Sequence, residues 1–127
     1  MSSQLPAFTL AQQWGVWSAF KGQCYWCSEP VEWRGLTIDH VIPRTVLSDL
    51  PRLEALKTFY ALPASFAIHS FENWVPSHLR CNGSKNAWIL LPSPAAVALF
   101  AAVGLRAKEA QRAAETIGAD WHIARIS

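Results

Sequence analysis

Leu36-Thr37-Ile38-Asp39-His40-Val41-Ile42-Pro43-Arg44 is the segment on which a reading of this 127-residue chain turns. Its β-branched and apolar residues from Leu36 to Ile42 predict a strand, and Pro43, which cannot donate to a ladder, closes it. The strand carries an acid and an imidazole near its end. Neighbouring side chains on extended backbone point to opposite faces. For Asp39 and His40 to serve one site, the chain must therefore bend or stop at this point. Taken alone, an Asp-His pair is more often an ordinary polar pair than a catalytic one.

Two spaced pairs flank this segment. Cys24-Tyr25-Trp26-Cys27 lies before it and His78-Leu79-Arg80-Cys81 after it. Both have the spacing that lets two side chains reach one ion, and together they offer a closed Cys₃His set suited to structural Zn²⁺. With every position filled by protein, such an ion serves folding. The competing readings of Cys24 and Cys27 are a redox pair or inert buried thiols. The second pair favours the metal, and no strand-then-helix setting of a thioredoxin-like site surrounds Cys24. The cysteine count of 3 is odd, so a complete intramolecular disulfide framework is impossible. The opening residues MSSQLPAFTL show no secretory signal, and the expected location is cytoplasmic.

Further out, the chain reads as one domain, 1–127, with its core at about 20–90. Hydrophobic residues make up 51% and charged residues 16%, which excludes a disordered chain. Thr9 to Phe20 predicts a helix with Leu10, Trp14 and Trp17 on one face. Ser48 to Leu62 predicts another, capped by Ser48 with Pro51 in its first turn. Residues 64–72 read as irregular, Trp74 and Val75 as the start of a second strand, and Leu79 to Trp88 as a helix. Pro94 opens a C-terminal helix over about 94–117. Pro92 and Pro94 cut the apolar run from Ala87 to Leu105 far short of the ~20 residues of a membrane span, so it reads as a buried helix. Most of the 7 tryptophans are expected to fill the core. Arg106, Lys108 and Arg112 read as solvated helix charges, and His69 and His122 as structural or surface residues. A net charge of +2 does not mark a nucleic-acid binder; between Arg80 and Asn86, however, lie two bases and no acid.

Taken in order, Asp39-His40-x-x-Pro43, Asn73-Trp74-Val75-Pro76 and Cys81-Asn82-x-x-Lys85, interleaved with the two ligand pairs, resemble the HNH endonuclease family over roughly residues 20–88. The resemblance implies an α+β domain: a ββα-metal core of a short antiparallel hairpin plus helix, a zinc knuckle and flanking helices. It implies a metal-dependent endonuclease hydrolysing phosphodiester bonds in DNA, with RNA also open. His40 would be the general base, and Asp39 and Asn82 the ligands of one Mg²⁺ or Mn²⁺. Asn73 would orient the loop that carries His40. Arg44, Arg80 and Lys85 are expected phosphate contacts by position rather than by a family rule. Asn86, one helical turn from Asn82, is a rival ligand.

The residue types suit this chemistry independently. Hydrolysis wants a base titrating near neutral pH, and a hard cation prefers oxygen ligands. Two features depart from the pattern. His78 stands where many relatives have cysteine, and the stretch between His40 and Asn73 is long, its Ser48 to Leu62 helix reading as an adornment for substrate or partner contact. The alternative functions are a zinc-stabilised nucleic-acid-binding module that does not cut, and a thiol redox protein. A homodimer or a place in a larger effector assembly is open.

Overall fold

The computed structural model describes residues 8–82 and 93–126, with side chains through Gly118. Lys85, Asn86 and Trp88, and the side chains of Trp121 and His122, fall outside that description. The architecture is a small α+β arrangement in which a two-stranded antiparallel hairpin is surrounded by helices.

The first helix, α1, spans Leu10–Ala19. Its start is fixed by a capping box: Gln12 N–H donates to Thr9 Oγ1 (3.0 Å) and Thr9 N–H donates to Gln12 Oε1 (2.9 Å). The buried face is Gly15, Val16 and Ala19, not the expected Leu10, Trp14 and Trp17 face. Leu10 is 64% exposed. The reason lies at Gly15, where an added Cβ would meet the Ala110 carbonyl oxygen at 2.3 Å. The helix packs through its smallest residues because another helix backbone lies directly against it.

That other helix, the C-terminal one, runs Pro94–Ile126, about 50 Å at 1.5 Å per residue. It continues past the expected end at 117, since Gly118 interrupts propensity without stopping the helix. The expected all-round burial is also corrected. Ala96, Phe100, Val103, Ala107, Ala110 and Ala114 form one buried stripe at alternating spacings of four and three, while Leu99 and Leu105 are exposed. This is the pattern of an amphipathic surface helix. Among the described residues no helix is long and apolar enough to cross a membrane.

Strands β1 (Thr37–His40) and β2 (Trp74–Ser77) pair with Thr37 opposite Ser77, Ile38 opposite Pro76, Asp39 opposite Val75 and His40 opposite Trp74. The ladder ends at His40, and the backbone bends at Val41 and Ile42. A 3₁₀ turn follows at Arg44–Ser48, then α2 at Leu50–Phe59. The cap of α2 is Asp49, whose Oδ1 accepts from Arg52 N–H (3.2 Å). Ser48 does not cap it, because its hydroxyl is turned back to the Thr45 carbonyl at 2.7 Å. A second short 3₁₀ turn, Phe71–Asn73, leads into β2. The short helix α3 is described over Leu79–Asn82, and the C-terminal helix is α4.

The core is made by Val41, Ile42, Val46, Leu56, Tyr60, Phe66, Ile68 and Val75 packed on Ala96, Phe100 and Val103 of α4. The stretch between His40 and Asn73 supplies most of this cluster, because a hairpin with four residues per strand has too little apolar area to form a core alone; helix α2 within it buries Leu56 alone. The tryptophans contribute less than expected: Trp74 is buried, whereas Trp14 and Trp17 lie tilted against each other nearer the surface and each meets Trp33 edge to face, with Trp33 38% exposed.

Arg106 is tied into the fold rather than merely solvated. Its Nη1 donates to the Ala19 carbonyl at 2.7 Å, satisfying a C-terminal carbonyl of α1, and its guanidinium lies 5.9 Å from the Phe20 ring centre. The α1–α4 contact gives a direct prediction. Gly15→Ala is expected to force the two helices apart and to lower the free energy of unfolding by about 1–3 kcal/mol, read by urea denaturation. An unchanged midpoint would show that the helices do not approach this closely.

Candidate metal centre and active site

The residues around Cys24 and Cys27 turn tightly. Cys24 N–H donates to the Glu29 carbonyl (2.8 Å) and Ser28 N–H to the Cys24 carbonyl (2.9 Å), with Ser28 at a positive φ of 66°. Tyr25 N–H donates to the Pro76 carbonyl of β2 at 2.9 Å, so this knuckle is hydrogen-bonded to the hairpin. His78 follows β2 directly, and Cys81 lies in the first turn of α3, with its N–H on the His78 carbonyl (3.0 Å).

Cys24, Cys27, His78 and Cys81 thus converge, with one ligand atom from each lying within 4.8 Å of all the others. Cys27 Sγ and Cys81 Sγ lie 3.4 Å and 3.8 Å from His78 Nδ1. A tetrahedral ion with sulfur and nitrogen ligands spaces its donor atoms by roughly 3.5–3.8 Å. The set could hold a zinc ion.

The orientation of His78 is also the one a ligand needs. Its Nε2 lies 2.8 Å from the Pro30 carbonyl, which can only accept. The proton therefore sits on Nε2 and the Nδ1 lone pair faces the three sulfurs, as outer hydrogen bonds commonly arrange for metal-binding histidines. Charge points the same way. Burial by itself would raise the Cys24 thiol, but backbone N–H groups of Cys27, His78 and Trp26 bring it down to about 6. Burial, then hydrogen bonds and charge from Cys24 and Cys27, push Cys81 up to about 11. Three clustered thiols resist ionising together until a cation joins them.

The candidate catalytic residues lie around β1. Asp39 is buried, and its Oδ2 accepts from Trp26 Nε1 at 2.9 Å. Thr37 shares Asp39's face by strand alternation, and Asn82 Nδ2 approaches Thr37 Oγ1 at 3.5 Å. Asn82 and Asp39 are thereby brought to one face of β1. His40 looks the other way: its Nε2 is 3.1 Å from His69 Nδ1, and Phe8 stands 5.8 Å from it between ring centres. Arg44 and Arg80 are both exposed. Lys85 lies outside the described residues.

Asn73 is fully buried, and all three of its amide contacts are to backbone. Its Oδ1 accepts from Ile42 N–H (2.8 Å), while Nδ2 donates to the carbonyls of Ile42 (3.0 Å) and Ile68 (2.8 Å). Ile42 comes two residues after His40, and Ile68 immediately precedes His69. One side chain therefore fixes the backbone beside both imidazoles.

Sequence reasoning missed His69, Trp26 and Thr37. His69 was expected to be structural or at the surface, and it instead faces His40. Burial, then the nearby Arg44 charge, holds its imidazole below the usual histidine range. No local spacing signals this contact, which spans 29 residues. Between the 69–74 segment and α4 lies a groove of about 480 Å³ lined by His69, Trp74, Lys108 and Gln111 among others.

Comparison of the chain with protein-family models, curated proteins and solved structures gives no match.

Two outcomes follow from this geometry. Purified protein is expected to carry one zinc per chain by elemental analysis, and a strong chelator or Cys81→Ser should unfold it, read by near-ultraviolet circular dichroism. A natively folded, zinc-free Cys81→Ser protein would remove the metal from the fold. Asn73→Asp keeps the acceptor for Ile42 N–H but loses both donors. It should cost on the order of 2–4 kcal/mol through two orphaned carbonyls, measured by urea denaturation of the zinc-loaded protein.

Proposed function

We propose that the chain is a metal-dependent endonuclease of the HNH type that hydrolyses phosphodiester bonds in DNA, built on a ββα-metal core with a structural zinc. The observation that carries this reading is the buried Asn73 amide, which clamps both backbone polar groups of Ile42 just beyond His40. A middle asparagine holding the histidine loop is what the sequence pattern asks of this position. A buried polar side chain spent wholly on the backbone beside His40 and His69 argues that the geometry there matters.

The remaining parts fit the same chemistry. Asp39 and Asn82 would hold one Mg²⁺ or Mn²⁺, both being hard oxygen donors and both on one face of β1. Asn82 turns its amide nitrogen to Thr37, which directs its carbonyl oxygen elsewhere. Trp26 Nε1–H donates to one oxygen of the Asp39 carboxylate and helps to fix its orientation. When bound, the cation supplies positive charge for the phosphate and the leaving oxygen.

His40 takes the proton of the attacking water. The water oxygen bonds to phosphorus, the ester oxygen departs, and solvent protonates that oxygen. Asp39 and His40 leave opposite faces of β1, so a phosphate must sit at the strand end, where the chain bends at Val41 and Ile42, to reach both. Arg44, exposed and close enough for its charge to act on His69, would meet a phosphate oxygen. Arg80 on α3 would contact the backbone further along.

The test is nicking of supercoiled plasmid by the zinc-loaded protein with Mg²⁺, with Mn²⁺ and with the divalent cation withheld, beside His40→Ala. Metal-dependent nicking that falls at least about 100-fold in His40→Ala, with near-ultraviolet circular dichroism unchanged, is the expected result. Equal cutting by the variant would displace His40 as the base. Binding of plasmid without cutting under any metal would turn the reading to a non-cleaving nucleic-acid-binding module.

A further inference from the structure

We propose that a cavity walled by Tyr60, Phe66 and Phe100 takes one unpaired base of the DNA substrate, and that Glu72, where this cavity meets the groove beside His69, selects guanine. The site rests on the nuclease reading for its substrate, a DNA strand, and on geometry for its existence.

Two hollows lie on successive turns of α4. One is the groove of about 480 Å³ bounded by His69, Trp74, Lys108 and Gln111. The other, of about 250 Å³, lies between the 60–66 segment and α4 and is walled by Tyr60, Leu62, Phe66 and Phe100. Glu72 and Gly104 line both, so the two meet there. His69, which lines the groove, lies 3.1 Å from His40. A strand held for cutting beside His40 therefore has a continuous path along the groove to the second cavity.

Size and lining select the occupant. The smaller cavity falls below the roughly 300–1,000 Å³ that holds a drug-sized ligand, so it takes a single ring system rather than a peptide segment or a base pair. Its walls are aromatic: the Phe100 ring centre lies 5.1 Å from that of Tyr60 and 6.0 Å from that of Phe66. Aromatic surface favours the flat face of any base. The α4 rim is low, since Ala101 and Gly104 are both exposed, and a Cβ at Gly104 would meet nothing within 4 Å.

Charge then separates the bases. Among the described residues Glu72 is the one charged residue lining the smaller cavity. A carboxylate accepts hydrogen bonds and does not donate them. The Watson–Crick edge of an unpaired guanine offers two adjacent N–H donors, a match for both carboxylate oxygens. Adenine and cytosine set an acceptor beside their donor, and thymine sets its donor between two carbonyls, so each turns a lone pair toward Glu72. Lys108, one helical turn beyond Gly104 on the same face, gives the adjoining phosphate a cation. A base already outside the stack enters at least cost, which favours DNA with an unpaired nucleotide.

The test is binding of the zinc-loaded full chain, without added Mg²⁺ or Mn²⁺, to labelled duplexes read by fluorescence anisotropy. The duplexes are fully paired or carry one extrahelical G, A, C or T. Binding at least about 10-fold tighter to extrahelical G than to extrahelical T or to the paired duplex is expected. Glu72→Gln, which puts a donor against the donors of guanine, should remove the preference for G. Ala101→Phe, at the exposed rim, should bring every bulged duplex to the affinity of the paired one. Equal affinity of the parent for paired and G-bulged duplexes would overturn the site, and a preference for G that survives Glu72→Gln would overturn its selection by Glu72. Should either variant fail to fold, the parent's ranking of the duplexes still decides. Plasmid nicking by a parent that does not distinguish the duplexes sinks this site and leaves the nuclease standing; selective binding of unpaired guanine with no cutting under any metal does the reverse.

Discussion

The amide of Asn73 is the contact on which this arrangement depends. The β1–β2 ladder has only four residue pairs and stops where His40 faces Trp74. Beyond it the chain must turn into the core, which would bury the polar groups of Val41 and Ile42 without partners. The Asn73 main chain takes the Val41 N–H at 2.9 Å, and its side chain takes both the N–H and the carbonyl of Ile42. A side chain thus extends the ladder while the backbone bends away from it. The gain is large because unpaired buried polar groups are costly. With these groups satisfied, the Val41 and Ile42 side chains can be fully buried against Val75.

Strand β2 carries different work at its two ends. At Trp74 it forms a wall for His69 and, opposite it in the ladder, pairs with His40. At Ser77 it delivers His78 into the sulfur cluster, and the Pro76 carbonyl between them holds the knuckle through Tyr25. Every residue of this strand is buried, which a strand of a half-exposed hairpin would not be. The knuckle covers one side of it and the 41–72 segment another. A small hairpin is made rigid by what is wrapped around it, and a metal joining residues 24 and 27 to 78 and 81 would close that wrapping covalently.

What was legible in the sequence was local. Cys24 with Cys27 and His78 with Cys81 sit at spacings short enough for the chain itself to bring each pair together, and the β-branched run marks β1. The faces and partners were less legible, because they depend on what lies across the fold. Leu10 and Trp14 looked like the natural core face of α1, but the approach of α4 selects Gly15, Val16 and Ala19 instead. Ser48 and Asp49 are both good helix caps, and the turn before α2 consumes the hydroxyl. His69 has no motif at all. Its meaning arises only when Asn73 draws Ile68 and Ile42 to the same amide.

The alanine-rich character of α4 links the fold to the candidate site. Ala110 and Ala114 let the helix lie against Gly15 of α1, and this close approach fixes where the preceding turns of α4 run. Those turns present Gly104 and Ala107 toward the segment bearing His69 and Trp74. Residues with little or no side chain leave room there, and that room is the groove bounded by Lys108 and Gln111. The buried indole N–H of Trp74 has no hydrogen-bond partner among the described residues, and Trp74 lines this groove together with Lys108. The small residues therefore act twice, once by letting two helices touch and once by keeping open the surface beside the paired histidines. Larger residues at Gly104 or Ala107 would narrow the groove beside His69.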